Sequence, residues 1–219
     1  MRSLRVLVTR PRDQSRSLVD ALGAAGFDVV VEPLIAIQPL SEDPIDIGGY
    51  DCVIVTSPNG ARELARRMTQ RPSALAAIGP GTAAALAEHG LRPDVVADVH
   101  TQEGLVDAFP QRPSRALFVG AEGARTQLAD ELDADFVAAY RTLELDLDRL
   151  PDADIALLAS PSAARAYAHA GGSGPAISIG PQTSAAARAA GVEIVAEAKS
   201  HDVRGLVDSA AAWRASSRS

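Results

Sequence analysis

An internal repeat constrains the fold of this chain more than any other feature of its sequence. Three segments return 101 or 103 residues further on, in the same order. The pairs are Thr56–Arg62 with Ala159–Arg165, Ile78–Ala85 with Ile179–Ala186, and His100 plus Gly104–Asp107 with His201 plus Gly205–Asp208. Three matches at nearly one spacing are difficult to attribute to abundant alanine, so the repeat predicts two similar structural units.

Short apolar runs alternate with alanine-rich amphipathic segments along the chain, which indicates alternating strands and helices. The strands are predicted at 5–9, 28–32, 52–56, 74–78, 95–97, 116–119, 136–140, 155–159, 176–179 and 193–196. The helices are predicted at 13–25, 58–69, 80–89, 102–109, 124–132, 161–168, 181–190 and 203–214. Strands apolar on both faces are typical of parallel sheets covered by helices. The predicted class is therefore α/β, with two similar parallel-sheet, flavodoxin-like domains.

The two copies of the repeat continue differently along the chain. The first copy is succeeded by a strand at Ala116, a helix and a strand at Phe136, whereas the second copy reaches the end of the chain. A matching strand, helix and strand stand at the start of the chain instead. We therefore predict a discontinuous domain of residues 1–34 plus 146–219 and a continuous domain of residues 40–138, joined by a two-stranded linker at 35–39 and 139–145. One large doubly wound sheet without a cleft is the alternative.

Charge and composition limit the partners of the chain. Apolar residues make up 47% and the formal net charge is −7, which argues for a packed core and against broad attraction to nucleic acid or anionic membrane. The single cysteine, Cys52, precedes an apolar run and is expected to be a buried thiol. The first residues show no signal peptide, and no apolar stretch has the length of a membrane span. We expect a cytoplasmic monomer.

Five strand-to-helix junctions carry a residue directly before a proline. They are Arg10-Pro11, Ser57-Pro58, Gly79-Pro80, Ser160-Pro161 and Gly180-Pro181. Ser or Gly followed by Pro is typical of an ordinary helix start, which is the simpler interpretation. In parallel sheets, however, all such junctions lie at the carboxyl edge, where ligands bind and helix N-termini offer free N–H groups. Two such edges facing each other would line a cleft for carboxylates, with hydroxyls added by Thr82 and Thr183.

The sequence lacks the usual catalytic and cofactor motifs. The four histidines, His89, His100, His169 and His201, have no metal-ligand spacing, and structural or solvent-facing roles are expected for them. No phosphate-binding loop with its lysine is present. We therefore expect neither a metal nor a cofactor. Tyr140 is either an amphipathic plug at the hinge or a hydrogen-bond donor to the cleft.

Several segments together resemble the uroporphyrinogen-III synthase family. They are Val6–Pro11, Pro33–Ile37, Tyr50-Asp51, Thr56–Gly60, Ala77–Thr82, Glu103–Leu105, Tyr140–Thr142 and Ile179–Thr183. They have the order of the family and cover essentially the whole chain. Ala159 departs from the pattern, because Thr56 at the matching position of the first copy carries a hydroxyl.

The resemblance implies a fold, a reaction and site residues. The family has two α/β domains joined by a two-stranded ladder, and it converts hydroxymethylbilane, a linear tetrapyrrole with eight carboxylates, into uroporphyrinogen III on the way to haem. Water is lost, the terminal pyrrole is inverted and the ring is closed without metal or cofactor. By resemblance, Tyr140 assists departure of the hydroxyl, and the substrate carboxylates are bound by Arg10, Ser57, Asn59, Thr82, Ser160 and Thr183. A transient hand-off of substrate from hydroxymethylbilane synthase is left open.

Two other functions remain open on the sequence alone. One is a non-catalytic, two-domain cytosolic binder of an anionic metabolite. The other is a sugar or phosphoryl transferase, which would depend on a nucleotide or a divalent metal. Formation of isomer III from hydroxymethylbilane separates the synthase from both.

Overall fold

The computed structural model describes residues 3–125 and 127–217, and it confirms the predicted α/β class with parallel sheets. The strands are β1 (Arg5–Val8), β2 (Asp28–Val31), β3 (Ile35–Pro39), β4 (Cys52–Val55), β5 (Leu75–Ala77), β6 (Val95–Val96), β7 (Ala116–Ala121), β8 (Asp135–Glu144), β9 (Ile155–Leu158), β10 (Ala176–Ser178) and β11 (Ile194–Glu197). The helices are α1 (Arg16–Ala24), α2 (Pro58–Arg67), α3 (Pro80–Ala87), α4 (Gln102–Asp107), α5 (Gln127–Leu132), α6 (Pro161–His169), α7 (Pro181–Ala189) and α8 (Val203–Ser216).

The chain divides into two compact units. The first unit comprises Met1–Ala36 with Leu143–Ser219, and the second comprises Ile37–Thr142. Both divisions fall within the segments predicted as linkers, and these segments are part of the long strand β8 and of its neighbour β3. The strands form two separate sheets, so the alternative of one large sheet is wrong.

The two sheets repeat one strand order. The first unit has the order β11-β10-β9-β1-β2, and its strand pairs are parallel. The second unit has the order β6-β5-β4-β7-β8, again with parallel pairs, and adds β3 beside β8. The sheets therefore match strand for strand, as the repeat requires, with the chain entering each at a different strand.

The central strands of each sheet, β1 and β9 in the first unit and β4 and β7 in the second, are apolar on both faces and are buried by helices on each side. In the first unit, Leu18 of α1 and Leu206 of α8 pack on one face, and Tyr167 of α6 packs on the other. In the second unit, Leu64 of α2 packs on one face and Leu128 of α5 on the other. Cys52 is 3% exposed within this core, which confirms the buried thiol.

The predicted helix 13–25 is interrupted in the structure. Arg12–Gln14 form a short 3-10 turn, and α1 begins only at Arg16. The cause is Ser15, whose buried hydroxyl donates to the Pro11 carbonyl at 2.8 Å and turns the chain before the helix starts. The prediction that Arg10-Pro11 begins a helix in the same manner as the Ser-Pro and Gly-Pro junctions is therefore wrong.

Candidate functional site

Ser57 and Ser160 lie at the same place in their respective units. In the second unit the chain proceeds from β4 towards one edge of the sheet and from β7 towards the other, and in the first unit it does the same from β9 and β1. The point between these two central strands is the topological switch point of each sheet. Ligands of open parallel sheets bind outside the carboxyl ends of the strands at such a point. Ser57 comes after β4 and Ser160 after β9, so each stands at the position where a ligand is expected.

Both serines are the N-caps of the helices that begin after them. Ser57 Oγ accepts the Gly60 N–H at 3.0 Å, and Ser160 Oγ accepts the Ala163 N–H at 3.1 Å. Proline occupies the first position of both helices, where an N–H would otherwise be unpaired. The simpler interpretation of these junctions is thus correct locally, and each helix also presents its positive end at the carboxyl edge.

The Gly-Pro junctions share a contact that sequence reasoning missed. A Cβ added to Gly79 would lie 2.8 Å from the His100 ring, and one added to Gly180 would lie 3.0 Å from the His201 ring. The absence of a side chain at these glycines leaves room for the imidazole that packs against the start of α3 in one unit and of α7 in the other. The signal was present in the sequence, since His100 and His201 stand at equivalent positions of the repeat.

Thr82 and Thr183 lie in the first turns of α3 and α7, as predicted, on the same edges as the serines. Each is only 3% exposed, so both also take part in the packing of helix on sheet. Asn59 lies in the first turn of α2, and its Oδ1 accepts a hydrogen bond from Arg62 at 3.3 Å. Arg10 is half-buried just after β1, where its carbonyl accepts from the Ser15 hydroxyl at 3.2 Å.

A β-bulge in β8 determines the face of the sheet on which the Tyr140 side chain lies. Gly120 of β7 is opposite Ala138, but the next residue, Ala121, is opposite Tyr140, so Ala139 is an extra residue. A bulge interrupts the alternation of side chains. As a result Ala139 and Tyr140 both join the core cluster on the α2 face of the sheet. If the side chains alternated regularly through Ala139, Tyr140 would project from the opposite face.

The bulge brings the Tyr140 hydroxyl to the N-cap of α2. Tyr140 Oη and Ser57 Oγ are 2.8 Å apart, although 83 residues separate them in the sequence. The Tyr140 side chain is 5% exposed. Burial raises the pKa of this phenol, and the hydrogen bond to Ser57 partly opposes the rise. Tyr140 therefore remains a protonated hydrogen-bond donor at neutral pH.

The described part of the chain contains no group of three or more His, Cys, Asp or Glu side chains that could hold a metal ion. Within residues 3–125 and 127–217, none of the helices has the length and apolar character needed to cross a membrane.

Comparison with known proteins identifies the family. The model of the uroporphyrinogen-III synthase HemD family matches residues 16–208. The chain belongs to this family. A uroporphyrinogen-III synthase of Synechococcus elongatus is 32% identical over 145 residues, which are 59% of this chain and 55% of that protein. A Methanocaldococcus jannaschii protein given the same name provisionally is 24% identical over 151 residues, 64% of this chain and 63% of that protein. In both cases the match spans less than two thirds of the relative's length.

A crystal structure of a mutant uroporphyrinogen III synthase from Thermus thermophilus matches the fold. The TM-score is 0.60 at 17% sequence identity, and the match covers 99% of this chain and 100% of that one. At this identity the match shows that the two proteins share a fold. The resemblance inferred from the sequence landmarks is thereby confirmed at the level of family and fold.

Proposed function

We propose that this protein is a uroporphyrinogen-III synthase that dehydrates and cyclises hydroxymethylbilane with inversion of the terminal pyrrole. Membership of the uroporphyrinogen-III synthase family supports the assignment in general. The observation that supports the finer reaction most directly is the buried Tyr140 hydroxyl beside Ser57, at the carboxyl edge of the second unit.

The reaction needs little chemical assistance. The pyrrole expels the hydroxyl by pushing electrons towards the terminal carbon, so the C–O bond breaks and its electron pair leaves with the oxygen. Tyr140 donates a hydrogen bond to that oxygen and passes its proton to it, so that the oxygen departs as water. The carbocationic carbon is attacked by the substituted α position of the last pyrrole, which gives a spiro intermediate. The bond from that position to its original methylene carbon then breaks, the pyrrole turns over, and the methylene carbon bonds to the unsubstituted α position. A proton lost on restoration of the aromatic ring balances the one taken up, and nothing is oxidised or reduced.

Binding and orientation make up the larger part of the proposed catalysis, since the same precursor closes unaided to the symmetric isomer. Helix N-termini at the edge of each unit suit carboxylates, and they allow a chain with a net charge of −7 to bind a polyanion. The proposed contacts to carboxylates are Arg10, Asn59, Thr82, Ser160 and Thr183.

The isomer composition of the product tests the proposal. Freshly prepared hydroxymethylbilane is mixed with the protein, the product is oxidised, and isomers I and III are separated by chromatography. We expect isomer III to form faster than the spontaneous closure to isomer I. If isomer I alone appears, at the spontaneous rate, the protein is not a uroporphyrinogen-III synthase.

A further inference from the structure

The Ser57 hydroxyl has two neighbours in the structure. Its oxygen accepts the Gly60 N–H at 3.0 Å, which fixes the side chain at the end of α2. The same oxygen lies 2.8 Å from the Tyr140 hydroxyl. Either hydroxyl could be the donor in this contact, because each carries one proton and an oxygen that can accept.

Two physical effects favour Ser57 as the donor of this bond. The Gly60 N–H withdraws electron density from Ser57 Oγ, which strengthens its O–H as a donor and weakens its oxygen as an acceptor. The positive end of α2 also favours electron density on the tyrosine oxygen nearby. Both effects direct the serine proton towards Tyr140 and leave the tyrosine proton available for another acceptor.

We propose that Ser57 is a positioning residue that donates its hydroxyl proton to Tyr140, so that Tyr140 presents its own proton to the departing oxygen of the substrate. This inference rests on the proposed function and revises the role of Ser57, which the sequence resemblance assigned to substrate binding. The β-bulge at Ala139 is the second part of the device, because it turns Tyr140 towards Ser57.

A cycle of single and double variants separates positioning from direct contact with the substrate. Loss of one neutral hydrogen bond is expected to lower kcat in Ser57→Ala roughly three- to tenfold, with KM nearly unchanged. In a Tyr140→Phe background the same substitution should change kcat by less than about twofold, because the partner is already absent. Ser57→Thr retains the hydroxyl and should restore most of kcat. An equal factor in both backgrounds, or an effect confined to KM, would overturn the proposal.

The control for helix capping is Thr101→Ala. Thr101 Oγ1 accepts the Gly104 N–H at 3.0 Å at the start of α4, so this variant loses the same kind of cap in the same unit. We expect both variants to lose comparable thermal stability, while kcat falls only in Ser57→Ala. A similar fall in Thr101→Ala would mean that the capping of a helix, and not Tyr140, explains the effect.

Ultraviolet titration of the tyrosines tests the contact without any substrate. The Tyr140 signal is obtained by subtracting the titration of Tyr140→Phe. Because the Ser57 hydrogen bond holds the Tyr140 pKa below the value that burial alone would give, Ser57→Ala should move the midpoint to higher pH. An unmoved midpoint would refute the hydrogen bond as drawn. This readout tests the contact between Ser57 and Tyr140 even if the protein forms no isomer III, an outcome that would refute only the proposed function.

Discussion

Two buried serines in the first unit, Ser178 and Ser184, are linked by hydrogen bonds to the exposed Glu197, and the second unit supplies a natural comparison for them. Ser178 Oγ and Ser184 Oγ are 2.6 Å apart, and Ser184 donates to the Glu197 carboxylate. Because Ser184 has a single proton, Ser178 must donate to Ser184. Ser178 is 0% and Ser184 1% exposed. The network therefore links β10, α7 and β11, with each hydroxyl donating to the next residue in the order Ser178, Ser184, Glu197.

The second unit has apolar residues at all three equivalent positions. Counting back 101 residues gives Ala77, Ala83 and Val96. The fold thus accommodates these three positions either with polar residues at all of them or with apolar residues at all of them. A partly polar site should be worse than both, because a buried hydroxyl without a partner loses its solvation and gains no bond in return.

Ser184→Ala creates such a partly polar site. It leaves the Ser178 hydroxyl without its acceptor, at a cost of about 1–3 kcal/mol. Loss of the bond to Glu197 adds little, since this carboxylate lies at the surface and is hydrated there. We expect Ser184→Ala to lower the free energy of unfolding by about 2 kcal/mol. The triple variant Ser178→Ala/Ser184→Ala/Glu197→Val copies the second unit and should lie within about 1 kcal/mol of the wild type.

Urea unfolding monitored by tryptophan fluorescence measures this difference. The single tryptophan, Trp213, lies on α8 and packs against the core of the first unit, so its signal reports on the unit that is altered. The midpoints of wild type, single variant and triple variant are compared at equal slope. A triple variant as unstable as Ser184→Ala would refute the reasoning, because the cost would then not come from an orphaned hydroxyl.

Two further predictions concern buried contacts. Gly79→Ala should lower the melting temperature, since its Cβ would lie 2.8 Å from the His100 ring, and Gly79→Ala/His100→Ala should recover part of the loss if that clash is the cause. Burial raises the pKa of the Cys52 thiol to about 12, so the folded chain keeps a proton that the unfolded chain loses above its ordinary value of 9.0. The stability from this group is complete below that pH and is lost as pH rises, by up to about 1.4 kcal/mol per pH unit relative to Cys52→Ala in urea titrations. Parallel pH curves for wild type and Cys52→Ala would contradict this.

Sequence patterns were sufficient to predict most of the strands and helices. Apolar runs bounded by Gly and Pro located strands such as β4 and β10, and the Ser-Pro and Gly-Pro pairs fixed the starts of α2, α3, α6 and α7. Buried strands and helix starts are determined by a few neighbouring residues, so a short stretch of sequence is enough to predict them. The predicted start of the first helix was wrong because a single buried hydroxyl, that of Ser15, redirected the chain.

The site was less predictable because its geometry depends on register between distant segments. Tyr140 and Ser57 were named as separate candidates, but their contact requires an extra residue in β8 that no local pattern announces. The packing of His100 on Gly79 likewise joins two loops of one unit. In that case the repeat carried a usable signal, because both members of the pair recur together 101 residues later.

The central claim is that the Tyr140 hydroxyl assists departure of the substrate hydroxyl, and a comparison of two buried tyrosines tests it most directly. Tyr167 is 6% exposed in the first unit, and a hydrogen bond from the Gly174 backbone opposes the rise that burial causes in its pKa. Tyr140→Phe and Tyr167→Phe should each lose about 1 kcal/mol of stability.

The decisive measurement is the initial rate of isomer-III formation in these two variants. We expect Tyr140→Phe to be slower than the wild type by about 100-fold, the lower end of the range for general acid assistance, and Tyr167→Phe to match the wild type. Wild-type turnover in a folded Tyr140→Phe variant, or equal losses in both variants, would contradict the account.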